Sequence, residues 1–437
     1  MSCYYELPKL HNLHIPGDII NVSEESEDTT APASGSGSGS GSLFEIASSH
    51  THTHTHPPAP LVSQTLNMYL CDIKAQIEEC SEEVWDSVKK YTNPFEFIHT
   101  AIPNCKTCAI SKLRPLSRSF YKMIELHATF FNPSHEPARM TSFHLAEGPG
   151  GFIEALVHIR SRQCPARQFT DTQHDVHYGM TLLNQDASCP GWKKSKAFLE
   201  ANRNRVCIES GADGTGNIIS LENFDHCVSK YKNTCDLITA DGGFDFSCDF
   251  NNQETMVSRL LAAEMGFALA LQKPGGHFIL KVFDTFTKPT IDILFVLCNL
   301  YKEVFVSKPC TSRHANSERY VVCKHFRLKT SDTLIPHLRA MFKQLDEFPH
   351  NEAVIASILP MEHDSHFLNK IEECNAIIGQ QQMEIINATI YLILNKGHAE
   401  KLESMKRQNI MKCISWCDKH GIPCNKIIQQ NNIFLKH

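Results

Sequence analysis

Four ionisable residues stand at places where solubility alone does not explain them. Lys281 lies inside an otherwise apolar run, HFILKVF (277–283), where a lysine is costly unless its head reaches water or a carboxylate. Asp241 closes the run CDLITAD (235–241) and is followed by Gly242 and Gly243. Glu318 stands just before RYVVCK, and Lys122 lies in SRSFYKMIEL. Lysine and carboxylate side chains are groups that move protons in catalysis. Singly, each also has a plain explanation, such as a strand-end lysine reaching for solvent or a lysine on a helix surface.

A fifth feature is the turn LAEGPGGF (145–152), with Glu147, Gly148, Pro149, Gly150, Gly151 and Phe152. It closes a strand-like run and opens a helix-like one. Its glycines allow a tight turn and close approach of a ligand, and a helix start offers unpaired N–H groups. The spacing is not G-x-G-x-x-G, which disfavours a dinucleotide site and an oxidoreductase.

The elements that must carry these residues alternate. Strand signals at 142–147, 235–241, 277–283 and 319–326 interleave with helical periodicity at 151–160, 254–272 and 289–301. This rhythm predicts an α/β fold with a mostly parallel sheet covered by helices on both faces, so that strand ends and the glycine turn meet at one edge. Residues 1–22 alternate and predict a short N-terminal arm. Residues 23–60 are acidic, Gly-Ser-rich and then Thr-His-rich, ending in the repeat His50, His52, His54, His56; they read as a low-complexity linker. Residues 61–104 predict a helical extension, with helical spacing over 66–90, and residues 331–437 a helical C-terminal domain.

Of 437 residues, 42% are hydrophobic and 21% charged, enough to fold as packed domains. No apolar run reaches the roughly 18–20 residues of a membrane span. The first residues lack a signal-peptide pattern, and the 18 cysteines show no disulfide framework, so reduced thiols in a cytoplasmic compartment are expected. Cys105 and Cys108 lack two further ligands at zinc spacing, and Cys413, Cys417 and Cys424 read as free thiols; no metal is expected. A net charge of −6 argues against broad nucleic-acid binding but leaves room for a local basic groove. Lys112, Arg114 and Arg118, with Lys106 and Lys122, form one candidate cluster; Lys308, Arg313, His314, Arg319 and Lys324 form another. Phe120, Tyr121, Phe244 and Phe246 are candidate base-stacking aromatics.

LAEGPGGF, ITADGGF, GGHFILKVFDTFT and TSRHANSERYVVCK resemble, in order, the successive motifs of the FtsJ-like (RrmJ-type) methyltransferases over residues 105–330. The last three look closest to the messenger-RNA cap 2′-O-methyltransferases of animals and of large cytoplasmic DNA viruses. The resemblance implies a Rossmann-like domain with a seven-stranded, mostly parallel sheet. It implies S-adenosylmethionine as methyl donor, the ribose 2′-hydroxyl near the cap of messenger RNA as acceptor, and other capping enzymes as partners. A cytoplasmic location, with packaging in a virion, goes with it. It implies a tetrad of Lys122, Asp241, Lys281 and Glu318. It also implies donor contacts from Glu147 through Phe152, from Asp241 and from GADGTGNI (211–218), where Asn217 stands at the family's acidic position and Asp213 lies four residues earlier. Within that reading Lys281 is the base, Lys122 supplies a second cation and positions the hydroxyl, and the two carboxylates orient the lysine. Two other readings share the fold: 2′-O-methylation of ribosomal RNA, and a non-catalytic RNA-binding or virion scaffold.

Overall fold

Buried apolar runs make the centre of the sheet. In the computed structural model, which describes residues 3–13, 42–50, 59–103, 109–162, 174–183, 190–243, 251–348, 353–395 and 399–425, the strands are β1 (Cys3–Leu7), β2 (Ala47–His50), β3 (Thr141–Leu145), β4 (Val176–Met180), β5 (Val206–Ile208), β6 (Cys235–Ala240), β7 (Gln272–Val282), β8 (Tyr301–Lys308), β9 (Arg319–Phe326) and β10 (Ala353–Ser357). The helices are α1 (Gln64–Glu78), α2 (Glu82–Thr92), α3 (Ser119–Phe130), α4 (Gly151–Arg162), α5 (Lys196–Ala201), α6 (Leu221–Tyr231), α7 (Gln253–Leu271), α8 (Lys288–Leu300), α9 (Ile335–Asp346), α10 (Ser365–Leu394) and α11 (Ala399–Lys419). None of the described helices is long and apolar enough to cross a membrane.

The main sheet has the order β1-β8-β9-β7-β6-β3-β4-β5. From β5 to β7 the pairs are parallel; β9 runs antiparallel to both β7 and β8. The seven expected strands are therefore present, and the expectation of a seven-stranded sheet is corrected to eight. The N-terminal arm supplies the extra one, with β1 pairing antiparallel on β8 and Cys3 opposite Lys308. An arm with alternating side chains can cover an open edge whose N–H and C=O groups would otherwise stay unpaired.

Helices cover both faces. On one, α7 and α8 are almost wholly buried and share a core with Phe143, Ile238 and Leu280 of the strands. On the other, α3 and α4 pack with Ile279, Tyr320 and Val322. Two expectations about the flanks change here. Residues 42–50 fall in the expected linker, yet Phe44 is fully buried in the main core and β2 pairs with β10. The apolar run LFEI outweighs the low-complexity sequence before it. Residues 331–425 do not gather a core of their own: Leu338 and Phe342 of α9 and Phe367 of α10 join the main core, while Trp416 of α11 joins the second. His52, His54 and His56 lie outside the described residues.

Candidate active site

The carboxyl ends of β3, β4, β6 and β7 face one edge, and because β9 runs antiparallel its beginning lies at the same edge. Register places Lys281 opposite Tyr320 and Val282 opposite Arg319. That brings Lys281, Asp241 and Glu318 together from three chain segments. Lys122 arrives from α3, which packs against α4 over the second core.

The four residues form two linked pairs. Lys122 Nζ donates to Glu318 Oε2 at 2.7 Å. Lys281 Nζ donates to the Asp241 carbonyl at 2.7 Å and lies 3.3 Å from Asp241 Oδ1. Tyr320 joins them: its hydroxyl donates to Asp241 Oδ1 at 2.7 Å, and Lys122 Nζ sits 5.7 Å from its ring centroid. Ser312 donates to Glu318 Oε1 at 2.7 Å. Lys122, Lys281 and Glu318 are all buried, so these groups need one another, since an unpaired buried charge is strongly unfavourable.

Burial, helped by Arg118 and Lys281, pulls the Lys122 ammonium below the usual lysine range, although Glu318 and Asp241 oppose it. Burial acts on Lys281 in the same sense, but Asp241, Glu318 and Glu264 outweigh it and hold that ammonium above the usual range. The carboxylates therefore decide the charge of Lys281, a balance that the sequence alone leaves open. The physical reason is position: Lys281 faces more carboxylates than cations. Burial pushes the Glu318 carboxyl up, but Lys122, Lys281 and Lys308 together hold it well below the usual range.

A cleft of about 1040 Å³ opens beside this group. Asp241, Gly243, Lys281 and Glu318 line it. So do Ala146, Gly148, Thr181, Gly216, Asn217 and Ile218 from the strand ends and the loop after β5, and Lys74, Trp85, Lys89 and Asn93 of α1, α2 and the residue after them, with Gln382 of α10. Of the lysines in the four-residue group, Lys281 lines the cavity and Lys122 does not.

The glycine turn is built as the pattern predicts, with Gly150 in the left-handed region (φ 99°) and α4 starting at Gly151. Its members divide by role. Gly148 faces the cleft, whereas the Phe152 ring is fully buried and stacks on Tyr320. The Glu147 side chain is buried, accepts from Thr239 Oγ1 and lies 3.2 Å from His144 Nδ1; burial and Asp241 push its carboxyl well above the usual range. Asn217 lines the cleft, but the exposed Asp213 accepts from Thr215 N, Thr215 Oγ1 and Asn223 Nδ2, so it organises its own loop. Sequence reasoning missed Tyr320, whereas Ile218 falls within the expected donor segment 211–218. A tyrosine two residues after Glu318, and so on the same side of an extended strand, is the signal that could have found it.

The basic clusters are largely spoken for. Glu96, buried, is approached by Arg313 Nη2 at 2.6 Å and Arg118 Nη1 at 3.6 Å, and these cations hold its carboxyl down at about 2 against burial. Arg319 is fully buried on Asp284 at 3.2 Å, Lys308 is buried, and Lys324 pairs with Glu303 at 2.9 Å. Lys112 and Arg114 remain exposed. Phe120 and Tyr121 are buried core residues that meet edge to face, not stacking platforms. Cys105, Lys106, Cys108, Phe244 and Phe246 lie outside the described residues.

Residues 115–326 match the FtsJ-like methyltransferase family. The matched stretch covers just under half of the chain. It includes all four tetrad residues and the glycine turn. The chain is 34% identical over 262 residues to the cap-specific mRNA (nucleoside-2′-O-)-methyltransferase 1 of Leishmania braziliensis, covering 59% of this chain and 61% of that protein. It is 28% identical to methyltransferase 2 of the same description from Drosophila melanogaster (58% of this chain, 36% of that one) and 28% identical to methyltransferase 1 from Dictyostelium discoideum (72% and 40%). The chain therefore spans less than two thirds of the length of these curated relatives.

Proposed function

We propose that the chain transfers a methyl group from S-adenosylmethionine to a ribose 2′-hydroxyl at the cap-proximal end of messenger RNA. The observation that carries this reading is the Lys281–Asp241 pair opening into a cleft lined also by the glycine turn and the ends of β3, β4 and β6.

The strand-end lining of the cleft suits such a donor. Backbone at Ala146, Gly148 and Gly216 leaves room for a nucleoside, Thr181 and Asn217 offer polar edges, and Ile218 an apolar face. Asp241 places a carboxylate beside the position of a sulfonium. Glu147, Gly148, Asn217 and Asp241 are the proposed donor residues; Gly150, Gly151, Phe152 and Pro149 shape the turn, and Asp213 holds the neighbouring loop.

The donor supplies a methyl on a positive sulfur, and that charge beside Asp241 opposes the protonated form of Lys281. Once Lys281 has given up its own proton to solvent, it holds the acceptor hydroxyl in line and takes the hydroxyl proton as the new C–O bond forms and the methyl–sulfur bond breaks, releasing the neutral thioether S-adenosylhomocysteine. Asp241 and its Tyr320 partner fix the lysine's direction, and Glu318 keeps Lys122 charged and in place. The lining from α2 favours a capped substrate. Trp85 lines the cleft together with Glu82 and Asp86, and an aromatic ring among carboxylates suits a positively charged methylated purine.

The test uses labelled donor with short RNAs that differ only in the cap, followed by mapping of the modified sugar. Methylation of the capped RNA at the first nucleotides is expected. Equal methylation of uncapped RNA would favour a ribosomal type of substrate. Donor binding by calorimetry without transfer to any RNA would support the scaffold reading.

A further inference from the structure

Lys308 ends β8 and is 1% exposed, yet the tetrad does not include it. Its Nζ donates to three acceptors: Asn316 O at 2.6 Å, Asn316 Oδ1 at 2.8 Å and Glu318 O at 2.5 Å. An ammonium has three N–H bonds and meets all three acceptors; a neutral amine has two and must release one. The acceptors lie on the segment that delivers Glu318. Asn316, Ser317 and Glu318 all line the cleft, and the Glu318 carboxylate is spent on Lys122 and Ser312. The 316 and 318 carbonyls are thus both held by Lys308, while Ser317 Oγ donates separately to Gln253 Oε1 at 2.7 Å and Asn316 N to the Arg313 carbonyl at 3.3 Å.

We propose that Lys308 is a positioning residue whose charged ammonium fastens the 316–318 segment, and with it Glu318, against Lys122, and whose loss of a proton loosens that segment. The charged groups around it are Glu318 just before β9, Arg319 at its start, Lys122 on α3, Asp284 after β7 and His314 in the loop before β9; on the edge side β1 pairs with it through Cys3. Burial, with Arg319 and Lys122, brings the Lys308 ammonium down to about 7 although Glu318 and Asp284 oppose it. The segment therefore changes hold near neutral pH.

The structural part of this inference stands apart from the methyl-transfer reading; its kinetic part rests on that reading. The experiment measures hydrogen exchange of residues 309–318 in the full chain from pH 6 to 9, corrected for intrinsic exchange, in the wild type, Lys308→Met and Asn316→Asp. Exchange in the wild type should accelerate tenfold or more across that range. Lys308→Met should be fast throughout. Asn316→Asp puts a carboxylate against the ammonium, so its transition should move to higher pH. In parallel, Lys308→Met should lose at least tenfold in kcat while its affinity for S-adenosylmethionine stays within threefold, and Lys308→Arg should recover part of the loss.

Exchange that is the same in wild type and Lys308→Met, or a kcat within twofold of wild type in that variant, would overturn the proposal. If Lys308→Met does not fold, a pH-independent exchange in both wild type and Asn316→Asp overturns it instead. Expected exchange behaviour with no methyl transfer by the wild type would remove the enzymatic reading and leave the anchor in place.

Discussion

Lys281 and Lys122 share one site but answer to different neighbours. Lys122 is the more easily deprotonated of the two, and Lys281, the one facing the cleft, is held charged by three carboxylates. A titration of 15N-labelled lysine side chains in the ligand-free protein should therefore show Lys122 losing its proton at lower pH than Lys281; the opposite order would contradict this electrostatic picture. Access, rather than resting charge, assigns the reacting role. Replacing Lys281 with Ala should lower kcat by roughly 100-fold or more, the usual scale for a lost proton-transfer group, while calorimetry finds donor affinity little changed. Near wild-type turnover would remove Lys281 from the chemistry. What the sequence showed at this scale was uneven. Lys281 and Asp241 were legible because a charge in an apolar strand and an aspartate before two glycines are both unusual. Of the candidate groove cations, Arg118 and Arg319 are engaged by Glu96 and Asp284, partners remote in sequence, whereas Arg313 pairs with Glu96 and also lines the cleft.

Elements with a strong period were read nearly to the residue. The run RYVVCKHF is β9, and the helix expected over 289–301 is α8 at Lys288–Leu300. The helical stretch over 66–90 breaks at residues 79–81 into α1 and α2, where Cys80 and Ser81 interrupt the apolar face. Strands β1, β2 and β10 were not called as strands, since each has four or five residues and is held by a partner hundreds of positions away. The loop after β5 hides a further constraint. Gly216 lines the cleft in the left-handed region (φ 69°), and a Cβ built there would lie 2.1 Å from the Thr181 carbonyl oxygen at the end of β4. Backbone cannot yield as a side-chain tip does. Gly216→Ala should cost about 1–3 kcal/mol in strain and overpacking, seen as a lower Tm, and should weaken donor binding by pushing the 215–218 loop off β4. Unchanged Tm and affinity would show that the loop shifts freely.

At the scale of the molecule, the sheet, the arm and the C-terminal helices are joined through buried polar groups. Lys74 of α1 meets Asp284 at 2.9 Å; Arg319 reaches Asp284 and also Asn375 of α10 at 2.6 Å. Across the sheet, Ser142 Oγ lies 2.7 Å from both His144 Nε2 and His177 Nδ1. Burial holds both imidazoles down at about 3, and His99 as well, while His277, His314 and His420 are held near 4. An unfolded histidine takes a proton near 6.5. Between 6.5 and about 4 the unfolded chain therefore binds protons at these positions that the folded chain refuses, so the stability they contribute is complete above 6.5 and drains away as pH falls. Glu147, Glu154, Glu254 and Glu264 act in the opposite sense, because their raised carboxyls keep a proton in the fold above 4.5; four groups offset part of the effect of six. Each net proton is worth ~1.4 kcal/mol per pH unit. Thermal unfolding should accordingly show a clearly lower Tm at pH 5.5 than at pH 7.5. A Tm that is level or higher at pH 5.5 would mean that these imidazoles are charged inside the fold, and that the polar ladder beneath the glycine turn is built differently from the one described.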